Sequence, residues 1–411
     1  MKYIHRTIQT TLQRVLETFP AVVVTGPRQS GKTTLLRKIG GKKYRFVSLE
    51  NLDLRSRAVN DPIAFFRENP PPLILDEIQY APGLLSYIKT FIDEKRKPGQ
   101  WLMTGSQSFS LMQGVSQSLA GRIAVLSLLP FSLEEIIPLR YARFSTIDNI
   151  LENLFKLNFS RIKRGPSPGN WLLRGSYPEP RINPKVDISQ WCSSYIQTYL
   201  ERDVRNILKV GDLNSFERFL RLCAARTGQI LNLSDLSRDV GREVPTIKNW
   251  ISVLESSGEA FLLSPYFKNF GKRLVKAPKF YFTDTALVCY LTGLRDEKAV
   301  LQGPMAGQLM ETAVVSAWRK AFIHRGEQAS MSMYYWRSSD GLEVDLVIDR
   351  NGKLYPMEIK LTSTVTPQLG ANLEKWLKTS GSPFQKGVVF CGVRKNTFIN
   401  SNIQAVPWDS L

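Results

Sequence analysis

Residues 26–33 read GPRQSGKT and fit G-x-x-x-x-G-K-[ST] without departure. In a loop of this kind glycine lets backbone N–H groups curl round phosphate oxygens. The helix that follows points its positive dipole end at the same charge. Gly26, Arg28, Gln29, Ser30, Gly31, Lys32, Thr33 and Thr34 are therefore candidates for holding a nucleotide. Lys32 would reach the β- and γ-phosphates, and the Thr33 hydroxyl would hold Mg²⁺. A second element, LILDE at 73–77, is an apolar strand ending in two carboxylates. Asp76 would hold Mg²⁺ through its water shell and Glu77 would orient the water that attacks the γ-phosphate. That pair fits ATP hydrolysis better than transfer to a small acceptor. WLMTGS at 101–106 ends in small polar residues, so Ser106 and Gln107 are candidates for sensing the γ-phosphate. Arg122 is the candidate for neutralising transition-state charge, in cis or from a neighbouring subunit.

A second chemical constellation lies at 341–360, GLEVDLVIDRNGKLYPMEIK. Asn351-Gly352 signals a two-residue hairpin turn. That turn sets facing residue numbers to sum to 703, which puts Asp345 opposite Glu358 and Glu343 opposite Lys360, with Val344 facing Ile359 and Leu346 facing Met357. Facing carboxylates repel. A divalent cation would remove the difficulty, and a metal-bound water near Lys360 would attack a phosphodiester. A plain Glu343–Lys360 ion pair is the alternative.

The third is electrostatic. With 55 Lys and Arg against 36 Asp and Glu the chain carries a formal charge of +19, and its pI is near 9.8. Such a surface attracts polyanions, nucleic acid first among them, with an acidic protein partner as the alternative. FKNFGKRLVKAPKFYFT at 267–283 holds Lys268, Lys272, Arg273, Lys276 and Lys279 with no acidic residue. Lys248 and Asn249 stand where a recognition helix would face a groove.

These residues need a scaffold. The first 20 residues suggest a helix with Ile8, Leu12, Val15, Leu16 and Phe19 on one face. From there to about 136, AVVVT, YRFVSL, PLILDE, WLMTGS and RIAVLSL alternate with helical stretches, the grammar of a parallel α/β sheet. Residues 138–190 read as irregular and basic, with GPSPGN at 165–170 as loop, and helix resumes at Trp191. From 213 to 283 three helices precede a hairpin, as in a winged helix. Asp212 or Asn214 would cap the first, Ser234 the second, and Pro245 suits the first turn of the third. From about 300 the order is helix (304–322), three strands (333–360), helix (367–379) and strand (386–391). The domains expected are therefore 1–137, 138–212, 213–299 and 300–411. At 411 residues and 43% hydrophobic content the chain is a multidomain globular protein. It has no apolar run of bilayer length, so a cytoplasmic location and no membrane partner are expected. Cys192, Cys223, Cys289 and Cys391 lack C-x-x-C spacing and read as small core residues.

The elements together resemble the AAA-type ATPases of the P-loop class. GPRQSGKTTL, LILDEIQ, TGSQ, LAGR, YIQTYLERDV and PYFKNFGKRLVKAPKFYFTD look like a family of bacterial and archaeal ATP-binding proteins that join this module to a C-terminal domain of unassigned function. The resemblance implies an ATPase fused to a winged helix and a nuclease-like fold. Asp345 with Glu358-x-Lys360 resembles the PD-(D/E)xK nuclease motif, and Glu311 matches the acidic residue such nucleases often place on the preceding helix. Val344 stands where a proline is common. The metal set implied there is Glu311, Asp345 and Glu358, with Mg²⁺ or Mn²⁺. The resulting expectation is an ATP-hydrolysing protein that engages DNA and carries a metal-dependent nuclease site. An ATP-gated DNA- or protein-binding switch with a silent nuclease fold, or a nucleotide or small-molecule kinase, are the alternatives. A homo-oligomer would follow from an arginine acting in trans.

Overall fold

The computed structural model describes residues 3–105, 119–137, 146–156, 165–199 and 213–410. Ser106, Gln107 and Asp212 lie outside them. The chain divides into two compact units. The first comprises Met1–Phe131, Ser256–Gly258 and Ile323–Glu327, and the second Ser132–Glu255, Glu259–Phe322 and Gln328–Leu411.

The first unit is built on β1 (Ala21–Thr25), β2 (Arg45–Ser48), β3 (Leu73–Asp76), β4 (Trp101–Thr104) and β5 (Ile123–Ser127). They form a sheet ordered β2-β3-β4-β1-β5 in which every recorded pairing is parallel. All five residues of β1 are buried, as a central parallel strand requires. Successive side chains go to opposite faces. Ala21 and Val23 pack with Leu75, Trp101, Met103 and the helix Leu84–Glu94. Val22 and Val24 pack with Ile8 and Leu12 of the helix Ile8–Leu16 and with Leu35 and Leu36 of the helix Lys32–Gly40. Each such buried aliphatic side chain contributes about 1.5–3 kcal/mol. The sandwich fixes the carboxyl ends of β1, β3 and β4 side by side, the edge where ligands bind in such sheets.

In the second unit the helices Leu213–Ala225, Leu233–Val240 and Val244–Ser256 accompany a sheet of β6 (Gln229–Ile230), β7 (Ala260–Leu263) and β8 (Lys279–Phe282), ordered β6-β8-β7 and antiparallel. The connection from β7 to β8 carries a short helix, Phe270–Val275. Asn232, not Ser234, caps the second helix, its side chain accepting from the backbone N–H groups of Ser234 and Asp235 at 3.1 and 3.2 Å. The stretch read as irregular contains the helices Ile147–Lys156, Pro168–Arg174 and Pro178–Ile182. GPSPGN is largely a helix start, because Ser167 accepts from Asn170 N–H and Pro168 occupies the first helical position, where its missing N–H costs nothing.

The remaining strands, β9 (Met333–Arg337), β10 (Glu343–Arg350), β11 (Lys353–Ile359), β12 (Gly387–Cys391), β13 (Thr397–Phe398) and β14 (Ile403–Pro407), form a sheet ordered β13-β14-β12-β11-β10-β9. The long helix Ala306–His324 precedes it and the helix Ala371–Thr379 packs Leu373, Trp376 and Leu377 onto Val344, Val347, Val389 and Ala405. The β10–β11 ladder runs from Arg350↔Lys353 to Leu346↔Met357, every pair summing to 703. Nearer the open end the ladder stops, and β10 shifts register against β9 between Val344 and Val347. The four cysteines are buried and free; burial pushes the Cys289 thiol up to about 12. Among the described residues no helix is long and apolar enough to cross a membrane.

Candidate nucleotide site and a second carboxylate cluster

The loop after β1 is shaped by glycine at two points. Gly26 has φ +140°, and a Cβ there would lie 2.2 Å from the Leu128 carbonyl oxygen, so no other residue fits without moving β5's continuation. Gly31 has φ +96° and starts the helix Lys32–Gly40. Gln29, at φ 56°, takes the left-handed conformation without being glycine, at about 1–2 kcal/mol. Ser30 is fully buried, Arg28 is half-buried, and Gln29 and Thr34 are exposed. Lys32 donates to the carbonyl oxygens of Gly26 and Pro27 at 3.0 and 2.8 Å, so its ammonium lies inside the curve of the loop. Arg6 locks the loop from behind, donating to Ser30 O at 2.7 Å and Leu129 O at 2.6 Å while only 3% exposed.

Asp76, at the end of β3, is the centre of the site. Thr33 donates to its Oδ1 at 2.8 Å, Thr104 donates to the same oxygen at 2.7 Å, and Ser48 lies 3.4 Å from Oδ2. The donors come from the ends of three different elements, and all are neutral hydroxyls. Thr33 Oγ1 and Asp76 Oδ1 are hard oxygen ligands already in contact, the donor set that suits Mg²⁺. Glu77 sits at φ 59°, ψ 53°. Its N–H donates to Thr104 Oγ1 at 2.9 Å and its carboxylate accepts from Gln79. The two adjacent carboxylates therefore have different partners, Gln79 for Glu77 and the three hydroxyls for Asp76. Thr104 and Arg6 escaped the sequence reading. The signal for Thr104 is present in the sequence, since WLMT aligns with LILD on the neighbouring strand and so sets Thr104 beside Asp76.

Arg122 is not at this site. Its carbonyl pairs with Ala21 N–H at the amino end of β1, the opposite end of the sheet from the loop, about 16 Å away over five residues at about 3.3 Å each. There it holds Asp93 in a two-point contact at 2.5 and 3.1 Å. A role in cis is ruled out by this placement.

The family model described as an AAA domain matches residues 18–137. Residues 18–137 are an AAA-type P-loop ATPase domain. It is the kind of domain that uses ATP and commonly Mg²⁺. Two further models, both described as domains of unknown function, match residues 168–298 (DUF8612) and 306–411 (DUF4143). Uncharacterised proteins of Mycobacterium bovis and Mycobacterium tuberculosis are each 28% identical over 353 residues, covering 86% of this chain and 73% of theirs. Among solved structures, a Walker-type ATPase of Pyrococcus abyssi aligns with a TM-score of 0.43 at 14% identity, covering 69% of this chain and 94% of that one. AMPPCP-bound DnaA of Aquifex aeolicus aligns with a TM-score of 0.24 at 15% identity, covering 60% and 85%.

In the second unit Asp345 and Glu358 are 7% and 1% exposed. The Asp345 carboxylate accepts the Ile359 N–H at 2.8 Å, which explains why the ladder stops at Leu346↔Met357: a side chain has taken the next strand donor. Lys360 Nζ lies 2.5 Å from Glu358 Oε2 and 3.6 Å from Asp345 Oδ2. Glu343 does not pair with Lys360. It stands opposite Arg337 on β9 and its Oε1 is 2.5 Å from Lys279 Nζ. Lys279 also donates to Glu311 at 2.8 Å, as does the Tyr281 hydroxyl at 2.5 Å. Burial, then the nearby Asp345 charge, pushes Glu358 up to about 8 and Glu311 up to about 7. Burial opposes charge on Lys279 and Lys360, yet the surrounding carboxylates hold both ammonium groups well above the usual lysine range.

Lys279 is therefore not a surface residue for nucleic acid: it is 3% exposed and its ammonium is spent on carboxylates. Arg273 is likewise largely covered, its guanidinium over the rings of Tyr266 and Tyr334 and 3.6 Å from Asp349. Lys248, Lys268, Lys272 and Lys276 are exposed. The sequence carried the clue to Lys279. In KFYF the alternation puts Lys279 and Tyr281 on one face and Phe280 and Phe282 on the other, all four buried, and a lysine in such a strand needs an anion. Among the described residues no group of three or more His, Cys, Asp and Glu side chains is arranged to hold a metal ion. The set Glu311, Asp345, Glu358 does not fit a divalent cation as it stands, because lysines already supply its positive charge.

Proposed function

We propose that the protein is an ATP-hydrolysing switch whose nucleotide state governs engagement of nucleic acid, DNA being the polyanion its basic surface suits. The observation that carries the first half is the contact of Thr33 with Asp76, backed by Thr104 and Ser48. Lys32 would draw charge from the β- and γ-phosphates, Thr33 and Asp76 would hold Mg²⁺, and Glu77 would orient the attacking water and take its proton. Mg²⁺ would supply charge neutralisation at the phosphates. For nucleic acid the support is the order of three helices and a β6-β8-β7 sheet, which reads as a winged helix, with Lys248 on its third helix and Lys268, Lys272 and Lys276 on the connection before β8. Phosphate contacts by such lysines give affinity without sequence preference.

The second reading is a nuclease. It is favoured by one observation, that Asp345, Glu358 and Lys360 meet within 2.5–3.6 Å on a helix-strand-strand-strand-helix-strand order like that of PD-(D/E)xK enzymes. A buried lysine from outside the motif, Lys279, already pairs with Glu311 and Glu343 in this arrangement, so the switch is the better-supported reading. Phosphate release should depend on ATP, Mg²⁺, Lys32 and Glu77, and duplex DNA should bind with a steep salt dependence. Absence of phosphate release from a folded, nucleotide-bound protein would sink the ATPase half. A phosphorylated small acceptor in place of free phosphate would mark a kinase.

A further inference from the structure

Four carboxylates, Glu311, Glu343, Asp345 and Glu358, converge on two lysines, Lys279 against the first two and Lys360 against the last two. Lys360 comes from the end of β11 and keeps a side chain 40% exposed. Lys279 is different in origin and setting. It comes from β8, in the small three-stranded sheet, and its side chain is 4% exposed. Its ammonium bridges Glu311 and Glu343 and sits 5.6 Å from the Tyr335 ring centre. A buried ammonium between two carboxylates does the electrostatic task a divalent cation would do there, and a second cation beside it would be repelled in a low-dielectric site. The backbone just before it is tethered to β9, for the Tyr335 hydroxyl donates to Ala277 O at 2.7 Å. Three residues before Lys279 stands Lys276, exposed, at the end of a segment that also exposes Lys268 and Lys272.

We propose that Lys279 is a built-in counter-cation that closes the carboxylate cluster to divalent metal, so that the cluster takes a metal only when this lysine is withdrawn. The inference rests on the reading of Asp345, Glu358 and Lys360 as a nuclease-like site. It adds a control residue that lies outside that motif, on a strand continuous with the basic segment.

The test is Mn²⁺ binding, followed by the electron paramagnetic resonance of free Mn²⁺, on the full chain without nucleotide in an Asp76→Asn background, so that the ATPase site does not contribute. Lys279→Met should acquire a Mn²⁺ site that disappears in Lys279→Met/Glu358→Ala and that the unaltered lysine form does not show even at about tenfold higher Mn²⁺. Lys279→Arg, which keeps the charge, should acquire none. If Lys279→Met does not fold, Lys279→Gln, which also removes the charge and keeps a polar side chain for Glu311 and Glu343, should show the same gain. A Glu358-dependent Mn²⁺ site with Lys279 intact, or no such site in a folded Lys279→Met, would overturn the proposal. Cleavage of supercoiled DNA separates the two readings. Mn²⁺ binding without cleavage in Lys279→Met keeps the lock and removes the nuclease, whereas Glu358-dependent cleavage by an unaltered chain that also shows a Glu358-dependent Mn²⁺ site without DNA keeps the nuclease and removes the lock.

Discussion

Asp76 and Asp345 are both nearly buried aspartates on strands, and their neighbours could hardly differ more. Around Asp76 the donors are Thr33, Ser48 and Thr104, three neutral hydroxyls. Around Asp345 and its companions two ammonium groups, Lys279 and Lys360, stand beside the Ile359 N–H and the Tyr281 hydroxyl. Hydroxyls orient a carboxylate and leave its charge uncancelled, so the first site still calls for a cation. Two ammonium groups already offset half the charge of four carboxylates, and burial raises Glu311 and Glu358, so the second calls for a cation far less. A cluster of acidic residues therefore says little about metal until the charge of its partners is counted.

The comparison breaks most visibly at the first site. Lys32→Ala should lower the rate of phosphate release by about 10²–10³-fold, the loss of one positioned transition-state donor, and Glu77→Gln should lower it by about 10²–10⁴-fold while leaving ATP bound. Rates measured at saturating ATP check both. An unaffected Glu77→Gln would move the general base elsewhere. Thr104→Val comes next. It removes the donor to Asp76 and the acceptor for Glu77 N–H together, and should cost about 1–3 kcal/mol of stability in denaturant titration, with a fall in turnover as Glu77 loses its anchor.

The same contrast explains what was legible in the sequence. The parallel sheet and phosphate loop could be read because their signals are local: a β-branched run, glycines at fixed offsets, a carboxylate at a strand end. The β10–β11 register was equally local, fixed by Asn351-Gly352 and followed as far as Leu346↔Met357. It failed at the next rung, where the Asp345 side chain captured Ile359 N–H, a competition that periodicity does not describe. Lys279 was read as basic surface because its partners, Glu311 and Glu343, are 32 and 64 residues away in sequence. Arg122 was placed by its position after LAG, while sheet topology put it at the wrong end.

At the second site the effect is a pH dependence. Glu358 is raised to about 8 from an ordinary 4.5, so between those values the folded state binds more protons than the unfolded one, and stability falls as pH rises. The contribution is intact below about 4.5 and fully lost above about 8. Glu358→Gln should flatten this part of the profile, with unfolding followed by denaturant at each pH. A slope unchanged by the substitution would mean that Lys360 keeps Glu358 ionised throughout.

The smallest effect separates surface lysines from the buried one. If Lys268, Lys272 and Lys276 contact phosphates, replacing any one with Ala should weaken duplex DNA binding about equally for all sequences and flatten the plot of log affinity against log salt by about 0.9. Lys279→Ala should leave that slope nearly unchanged, because its charge is already cancelled by Glu311 and Glu343. A full loss of slope in Lys279→Ala would place its ammonium on DNA, and the lysine would then be moving between carboxylates and phosphates.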